Sequence, residues 1–421
     1  MEMDNQFFSE IPVLYASGVA GPITDCGAGN YNIKIEDVVF ENYVSQLETL
    51  SASGFIKYVD NGPAGLNGSV WTTTYTKDDL VVTVSYIKKR GCMYISAGKK
   101  LALSPHLFYD ESYLKGNIAG SKTSLHMLEL HTFGDSFVIQ LKNGHFIMDD
   151  SGMPMDALYL LDYLEKLAPN GETPIIEAWF ISHGHGDHSG AFIAFANNPE
   201  YAKRIAVEGI YYSKPNVDIC KMGDSIEQVQ VAVKGFGECR TSSGKNTPVY
   251  RPQVGQRYYF NDITIDVLHT QEQLPMKDYS NGFNDSSTWL LYSIDGQKFL
   301  HGGDAGRGSV EVVKDTYEQE FLDFDIMTTF HHGQNVSNSF VEYFNYKTVL
   351  YTTFVVGSQT ANWKTEENKK LQERAEECLS WGDGTKILTF PYHVGETISL
   401  PKKEWVYHPD RKPLRPFSLD E

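Results

Sequence analysis

The sequence predicts an α+β chain of two units: a small α+β unit over residues 1–105 and a larger layered domain over 123–421, joined by a polar linker at 106–122. Three observations carry that reading. At 421 residues the chain is too long for one ordinary core. Its first hundred residues alternate short strands with one helix. Residues 183–190, reading HGHGDHSG, then gather three imidazoles and a carboxylate at the exit of an apolar strand.

In the first unit, Tyr31 to Ile35 alternates as a strand does. Val38 to Ser51 has helical spacing in Val39, Tyr43, Leu47 and Leu50. Strands follow at Ser69–Tyr75, Leu80–Lys88 and Cys92–Ser96, with turns at Lys77-Asp78-Asp79 and Lys89-Arg90-Gly91. The unit holds no cluster of reactive side chains. Covering a cleft, self-association and binding another molecule stay open as its role. The stretch from Ser104 to Ser124 is polar and irregular, as a linker is. No repeat or low-complexity tract is visible.

The chemistry sits in the larger unit. The apolar run Pro174 to Ser182 reads as a buried strand, so His183 and His185 leave its end pointing the same way. Gly184 and Gly186 let the backbone turn sharply, returning Asp187 and His188 over the same hollow. Ala191 to Ala196 reads as the first turns of a helix, with Asp187 near its N-terminus, where an anion is favoured. A single His-x-His in a loop is ordinarily a solvated turn. Several buried imidazoles and a carboxylate at one strand exit would each need a partner, and a shared cation supplies it. Imidazole with carboxylate is the ligand set of zinc, iron and manganese. One ion has a home here, with ligands to spare for part of a second.

The pattern His-x-His-x-Asp-His resembles that of the metallo-β-lactamase-fold hydrolases, and the likeness continues over residues 123–405. Phe137 to Gly152 is similar to that family's opening hairpin, turning at Asn143-Gly144. Lys298 to Asp304, ending Gly-Gly-Asp, resembles the strand that supplies its bridging carboxylate. Phe324 to Gly333, ending His331-His332-Gly333, resembles the strand whose last histidine closes the second metal site. The resemblance implies a four-layer α/β/β/α sandwich. It implies one or two divalent ions per chain, zinc first, with manganese or iron as alternatives. His183, His185, Asp187, His188, Asp304 and His332 would be the ligands. Asp304 would bridge the ions, and Asp187 would also accept a proton or orient the attacking water.

Within that superfamily the chain looks most like the hydrolase domain of ComEC-type competence proteins. The doubled histidine, Asn284-Asp285-Ser286-Ser287 before the strand Thr288–Ile294, and the run from Tyr351 to Leu400 carry that likeness. In that run a strand, a polar loop, a helix over Glu366–Leu379 and a closing hairpin follow one another. The chain departs from lactamase-type members at the loop that supplies a third histidine to the first ion. Only Val267-Leu268-His269-Thr270 stands there. His269, Asn284 or Asp285 is the candidate third ligand, failing which water or an amide oxygen completes the shell. His331 is expected to support a ligand or touch substrate. His301 reads as a packed or hydrogen-bonded strand residue and His393 as a strand position in the last hairpin, within reach of the cleft. His106, His126, His131, His145 and His408 have no usable context.

Composition sets the remaining bounds. A 41% hydrophobic and 13% aromatic content suits a well-packed globular protein. Five scattered cysteines, Cys26, Cys92, Cys220, Cys239 and Cys378, include no Cys-x-x-Cys, which suits a reducing compartment. The N-terminus MEMDNQFFSE carries acids where a secretory signal has lysines, and no run nears the ~18 apolar residues that cross a bilayer. A cytoplasmic protein is expected. A net charge of −18 argues against an extended nucleic-acid face, although Lys203–Arg257 and Lys402–Arg415 are locally basic. The expected function is metal-dependent hydrolysis of a small-molecule or phosphodiester substrate. Lactam, lactone or thioester hydrolysis and a non-catalytic metal-binding sensor or scaffold are the alternatives. A di-iron redox role is disfavoured, because His185 stands where such members carry Glu. Oligomeric state is not legible.

Overall fold

Three β-sheets organise the chain in the computed structural model, which describes residues 10–13, 19–62, 66–215, 236–274, 282–334, 336–353 and 365–403. The first sheet contains β1 (Val19–Ala20), β2 (Thr24–Gly27), β3 (Asn30–Glu36), β4 (Ile56–Asn61), β5 (Val70–Lys77), β6 (Leu80–Ile87) and β7 (Cys92–Lys99), in the order β1-β3-β7-β6-β5-β4 with β2 beside β3. One helix, α1 (Phe40–Ala52), crosses it. Tyr43 and Leu50 of α1 pack on Ile33, Ile35, Val82, Val84 and Ile95. The expected strand, helix and meander are all present. β4 was not anticipated, because a bulge between Lys57 and Val59 breaks its period and most of its residues face water.

The second sheet holds β8 (Ser124–Met127), β9 (Ser136–Gln140), β10 (Phe146–Asp150), β11 (Ile175–Ile181), β12 (Ala206–Val207), β13 (Ile210–Tyr212), β14 (Val249–Tyr250), β22 (Lys386–Thr389) and β23 (Ile398–Ser399). The third runs β15 (Arg257–Phe260), β16 (Ile263–His269), β17 (Trp289–Ile294), β18 (Gln297–His301), β19 (Asp323–Thr328), β20 (Asn345–Tyr351), β21 (Glu377–Ser380). These two sheets face one another. Along β17, Leu290, Tyr292 and Ile294 enter the core between the sheets. Trp289 and Leu291 of the same strand enter the core on the other side, with Val310, Val313, Phe340 and Leu371 of the outer helices. The helices α2 (Ala157–Leu167) and α3 (Gly186–Ala196) cover the second sheet through Leu160, Leu164, Phe192 and Phe195. The architecture is the α/β/β/α sandwich expected from the sequence.

Three details differ from the sequence reading. The helix expected over Glu366–Leu379 stops at Arg374, and Glu377–Ser380 becomes β21, parallel to β20. That helix buries only Asn368 and Leu371, whereas Cys378 and Leu379 gain strand partners in Val349 and Leu350. The stretch 106–122 is irregular but not detached: His106 stacks on Phe260 at 4.1 Å and its Nδ1 meets the Tyr259 carbonyl at 2.9 Å. His393 is exposed, in a loop before β23 rather than in a strand. Several expectations lie outside the described residues: the N-terminal residues 1–9, Cys220 with 216–235 of the basic stretch, the polar loop at 354–364, and the basic tail from 404 with His408. No described helix is long and apolar enough to cross a membrane.

The first sheet and the sandwich share a core. Leu66, Val70, Ile87, Cys92 and Tyr94 pack in one cluster with Val254, Leu268, Trp289 and Leu300. Polar groups lock the same junction. Thr72 and Ser85 hydroxyls donate to the Val254 carbonyl at 2.8 and 3.1 Å. Arg251 pairs with Glu272 and donates to the Cys26 and Gly27 carbonyls, with side chains only 7% and 2% exposed for the pair. Removing one partner of a buried pair strands the other charge. Arg251→Ala is therefore expected to cost about 3–5 kcal/mol of unfolding free energy. Lys57→Ala, at the exposed Lys57–Asp60 pair, should cost under about 1 kcal/mol. Urea unfolding of the two variants checks the contrast.

Candidate metal centre

β11 ends at Ile181, and Asp150 at the end of β10 latches its exit. The Ser182 N–H and hydroxyl donate to the two Asp150 carboxylate oxygens at 2.8 and 2.6 Å. The chain then turns through His183 to His185 into α3, whose first turn carries Asp187. His183 Nε2 and His185 Nδ1 lie 2.9 Å apart. Asp187 and His188 return over the same hollow, as the glycine spacing predicts.

Asp304 stands at the centre. One of its oxygens lies 3.0 Å from His188 Nε2 and 3.5 Å from His332 Nε2. The other lies 3.9 Å from His183 Nε2 and 3.7 Å from His331 Nε2. Asp187 meets His332 Nε2 at 3.0 Å and His188 Nε2 at 3.7 Å. Two groups able to hold a cation share Asp304, His183–His185–Asp304 and Asp135–His188–Asp304–His332 with Asp187 alongside; a third, Asp135–Asp150–His301, does not include it. A cation fits them. His188 Nε2 and Asp304 Oδ1 are buried, and neither makes a hydrogen bond with the described residues although they are close neighbours. Buried polar atoms left so are costly unless something else satisfies them.

The imidazoles are oriented from behind by carboxylates and hydroxyls that the sequence reading missed. His188 Nδ1 meets Asp150 at 2.7 Å, and His183 Nδ1 meets the Ser182 hydroxyl at 3.1 Å. His332 Nδ1 meets Thr352 Oγ1 at 3.0 Å and Asp135 at 3.2 Å. Such partners fix which ring nitrogen is free to bind. The Asp149-Asp150 pair closing a strand was a signal that could have been read. Asp135, which follows Gly134 in an irregular stretch, gave none.

The backbone is bent to make this fit. His331, His332 and Gly333 all have left-handed φ values, 50°, 53° and 85°, and Asp150 has 55°. For residues with a Cβ this conformation costs energy and persists only where surroundings enforce it, commonly at functional sites. Gly134 permits a second close approach: a Cβ there would lie 2.5 Å from the Asp187 carbonyl oxygen.

The field follows from the burial. Burial alone would lower the His188 imidazole, but Asp304, Asp150 and Asp187 reverse this and hold it well above its ordinary value. His332 is likewise penalised by burial and yet pushed up to about 10 by Asp304, Asp135 and Asp187. Burial would raise the Asp304 carboxyl; His188, His332 and His331 hold it well below the usual range. His183 is driven well below its ordinary value by burial and then by His188 and His185, and so stays neutral, as a ligand must. The pocket as a whole attracts positive charge.

The candidates for a third ligand of the first ion separate. Asp285 points away: it accepts from the Gly306 N–H, the Ser309 N–H and the Ser309 hydroxyl at 2.8, 3.2 and 3.0 Å, tying down the start of the helix Arg307–Thr316. His269 turns its Nδ1 to the Ser287 carbonyl at 3.1 Å and belongs to neither group. Asn284 keeps a donor to spare. Its amide nitrogen lies 3.4 Å from His331 Nδ1, and its buried Oδ1 has no hydrogen-bond partner among the described residues. His331 lines the mouth with its side chain 22% exposed. His126, His131 and His145 have partners of their own in Tyr163, Asp156 and Glu177.

This sorting is testable. Asp285→Ala should cost about 1–3 kcal/mol, the penalty for unpairing buried donors, and leave bound metal unchanged. His269→Ala should also keep its metal. Elemental analysis after dialysis checks both, and a loss matching that of His185→Ala would return either residue to the ligand set.

No curated protein matches the chain. Among solved structures, a metallo-β-lactamase with an HARLDQ motif from Cronobacter sakazakii is 15% identical, with a TM-score of 0.31, covering 48% of this chain and 72% of its own. Zn(2+)-bound PqqB from Methylobacterium extorquens is 7% identical, with a TM-score of 0.37, covering 58% of this chain and 85% of its own. A third, described as a metal-dependent hydrolase of the β-lactamase superfamily, is 11% identical, with a TM-score of 0.34, covering 66% of this chain and 100% of its own. The stronger finding is the sequence model of the metallo-beta-lactamase superfamily, which matches residues 131–353 and so spans every proposed ligand. The chain belongs to the metallo-β-lactamase superfamily.

Proposed function

We propose that the protein is a metal-dependent hydrolase working with one or two divalent ions, zinc first and manganese or iron as alternatives. One observation carries the reading: Asp304 is shared between two histidine groups, so a single carboxylate can serve two cations. His183 and His185 would hold the first ion, with the free Asn284 amide oxygen as a further donor, and Asp187, His188 and His332 the second. Divalent ions so held supply acidified water and polarise the oxygen of a scissile bond. The chain's own groups do the rest. Asp187, at the helix N-terminus, is placed to accept or orient a proton. His331, partly exposed beside Asp304, is placed to meet substrate, and the ring of Phe133 lies 5.9 Å from that of His332.

Phosphodiester hydrolysis is the first substrate reading, supported by the ComEC-like His331-His332-Gly333. A second has its own support: Phe133, exposed beside His332, suits a substrate with an apolar body, as a lactam, lactone or thioester has. Purified protein loaded with zinc or manganese and offered bis-p-nitrophenyl phosphate and a chromogenic β-lactam separates the two. Asp304→Asn should lower turnover at least about 100-fold, the scale at which one transition-state contact acts, while leaving the circular dichroism unchanged. Fewer than one ion bound per chain, with silence across a broad substrate screen, would replace hydrolysis with a sensor or scaffold.

A further inference from the structure

The sequence reads His301 as a packed or hydrogen-bonded strand residue. The structure gives it a more specific setting. It ends β18 on the third sheet and reaches across to the second, entirely buried. Its Nδ1 lies 2.8 Å from Asp149 and its Nε2 3.2 Å from Asp135, with Asp150 at 3.9 Å. Both ring nitrogens lie close to carboxylates; Nε2 is hydrogen-bonded to Asp135, while Nδ1 approaches Asp149 without hydrogen-bond geometry. Asp149 is held in turn by the Tyr292 hydroxyl at 2.8 Å, and the edge of Phe137 closes the pocket at 5.3 Å.

The carboxylates around His301 are the ones behind the second ion's imidazoles. Asp135 meets His332 Nδ1 at 3.2 Å, and Asp150 meets His188 Nδ1 at 2.7 Å. Asp150 reaches the first ion's His183 only at one remove, through the Ser182 hydroxyl that donates to Asp150 at 2.6 Å and lies 3.1 Å from His183 Nδ1. We propose that His301 is a positioning residue that holds Asp135 and Asp150 against His332 and His188, and so sets the affinity of the second metal site separately from the first. Without a cation between them, three buried carboxylates would repel one another and draw back from the rings they orient. Burial works against a charged His301, yet Asp149, Asp135 and Asp150 hold it well above its ordinary value.

This rests on the metal-dependent reading above, and the test separates the two. Zinc is titrated into chelator-stripped full-length protein against a competing chromophoric chelator. His183→Ala and His332→Ala identify which binding step belongs to which site. In His301→Leu and His301→Gln the second-site dissociation constant is expected to rise about 10–100-fold, the usual effect of losing an orienting partner. The first-site constant should stay within about twofold. Circular dichroism of the stripped proteins reports folding; if His301→Leu does not fold, Asp149→Asn gives the same readout. Two ions bound by the parent but equal affinities in the variants, or equal weakening at both sites, overturns the proposal alone. A parent that binds no zinc overturns the metal reading and this inference with it.

Discussion

Five carboxylates, those of Asp135, Asp149, Asp150, Asp187 and Asp304, are buried together where the two sheets of the sandwich meet. Nothing else among the described residues is so demanding. A carboxylate removed from water is costly unless cations and hydrogen-bond donors replace its hydration. Here the donors are the Ser182 and Tyr292 hydroxyls, backbone N–H groups and the far nitrogens of histidines. Positive charge comes from protonated imidazoles, or from metal ions that take their place on the near nitrogens. The left-handed turn at His331–Gly333 and the latch of Asp150 on Ser182 both follow from the need to aim rings and carboxylates at one another.

The layers of the fold serve that arrangement. The two facing sheets give rigid edges, and the reactive side chains leave from strand ends, the turns beside them or, for Asp187 and His188, the first turn of α3. β10 delivers Asp149 and Asp150, β11 delivers His183 and His185, β18 delivers His301 and Asp304, and β19 delivers His331 and His332. No one element carries the site, so its geometry depends on the packing between sheets. Rigid strand ends supported by neighbouring side chains hold such constellations more precisely than free loops do.

How far the sequence could be read follows from range. The eight residues from His183 lay bare the first proposed ligands because strand period, glycine and helix start all act within that one stretch. Asp304 and His332 were legible as strand-ending patterns. Asp135, Asp149, Asp150 and His301 were passed over as partners, since a carboxylate acquires that role only when a distant imidazole is folded against it. Asp285 shows the opposite error. Its acidic side chain beside Asn284 suggested a ligand, but three donors at a helix start claimed it. The bulge in β4 and the switch from helix to β21 after Arg374 were hidden for a similar reason, because neighbouring strands decided them.

The cluster that joins the first sheet to the sandwich has a consequence for how such a chain can change over time. Val70, Ile87 and Tyr94 lie on one side of that boundary and Val254, Leu268 and Trp289 on the other, sealed as a single interior. Neither part has a finished exterior there. A lineage could not shed or exchange the leading segment as a detachable module without first repainting the exposed wall in polar residues. Substitutions on the two sides are therefore expected to travel as matched pairs.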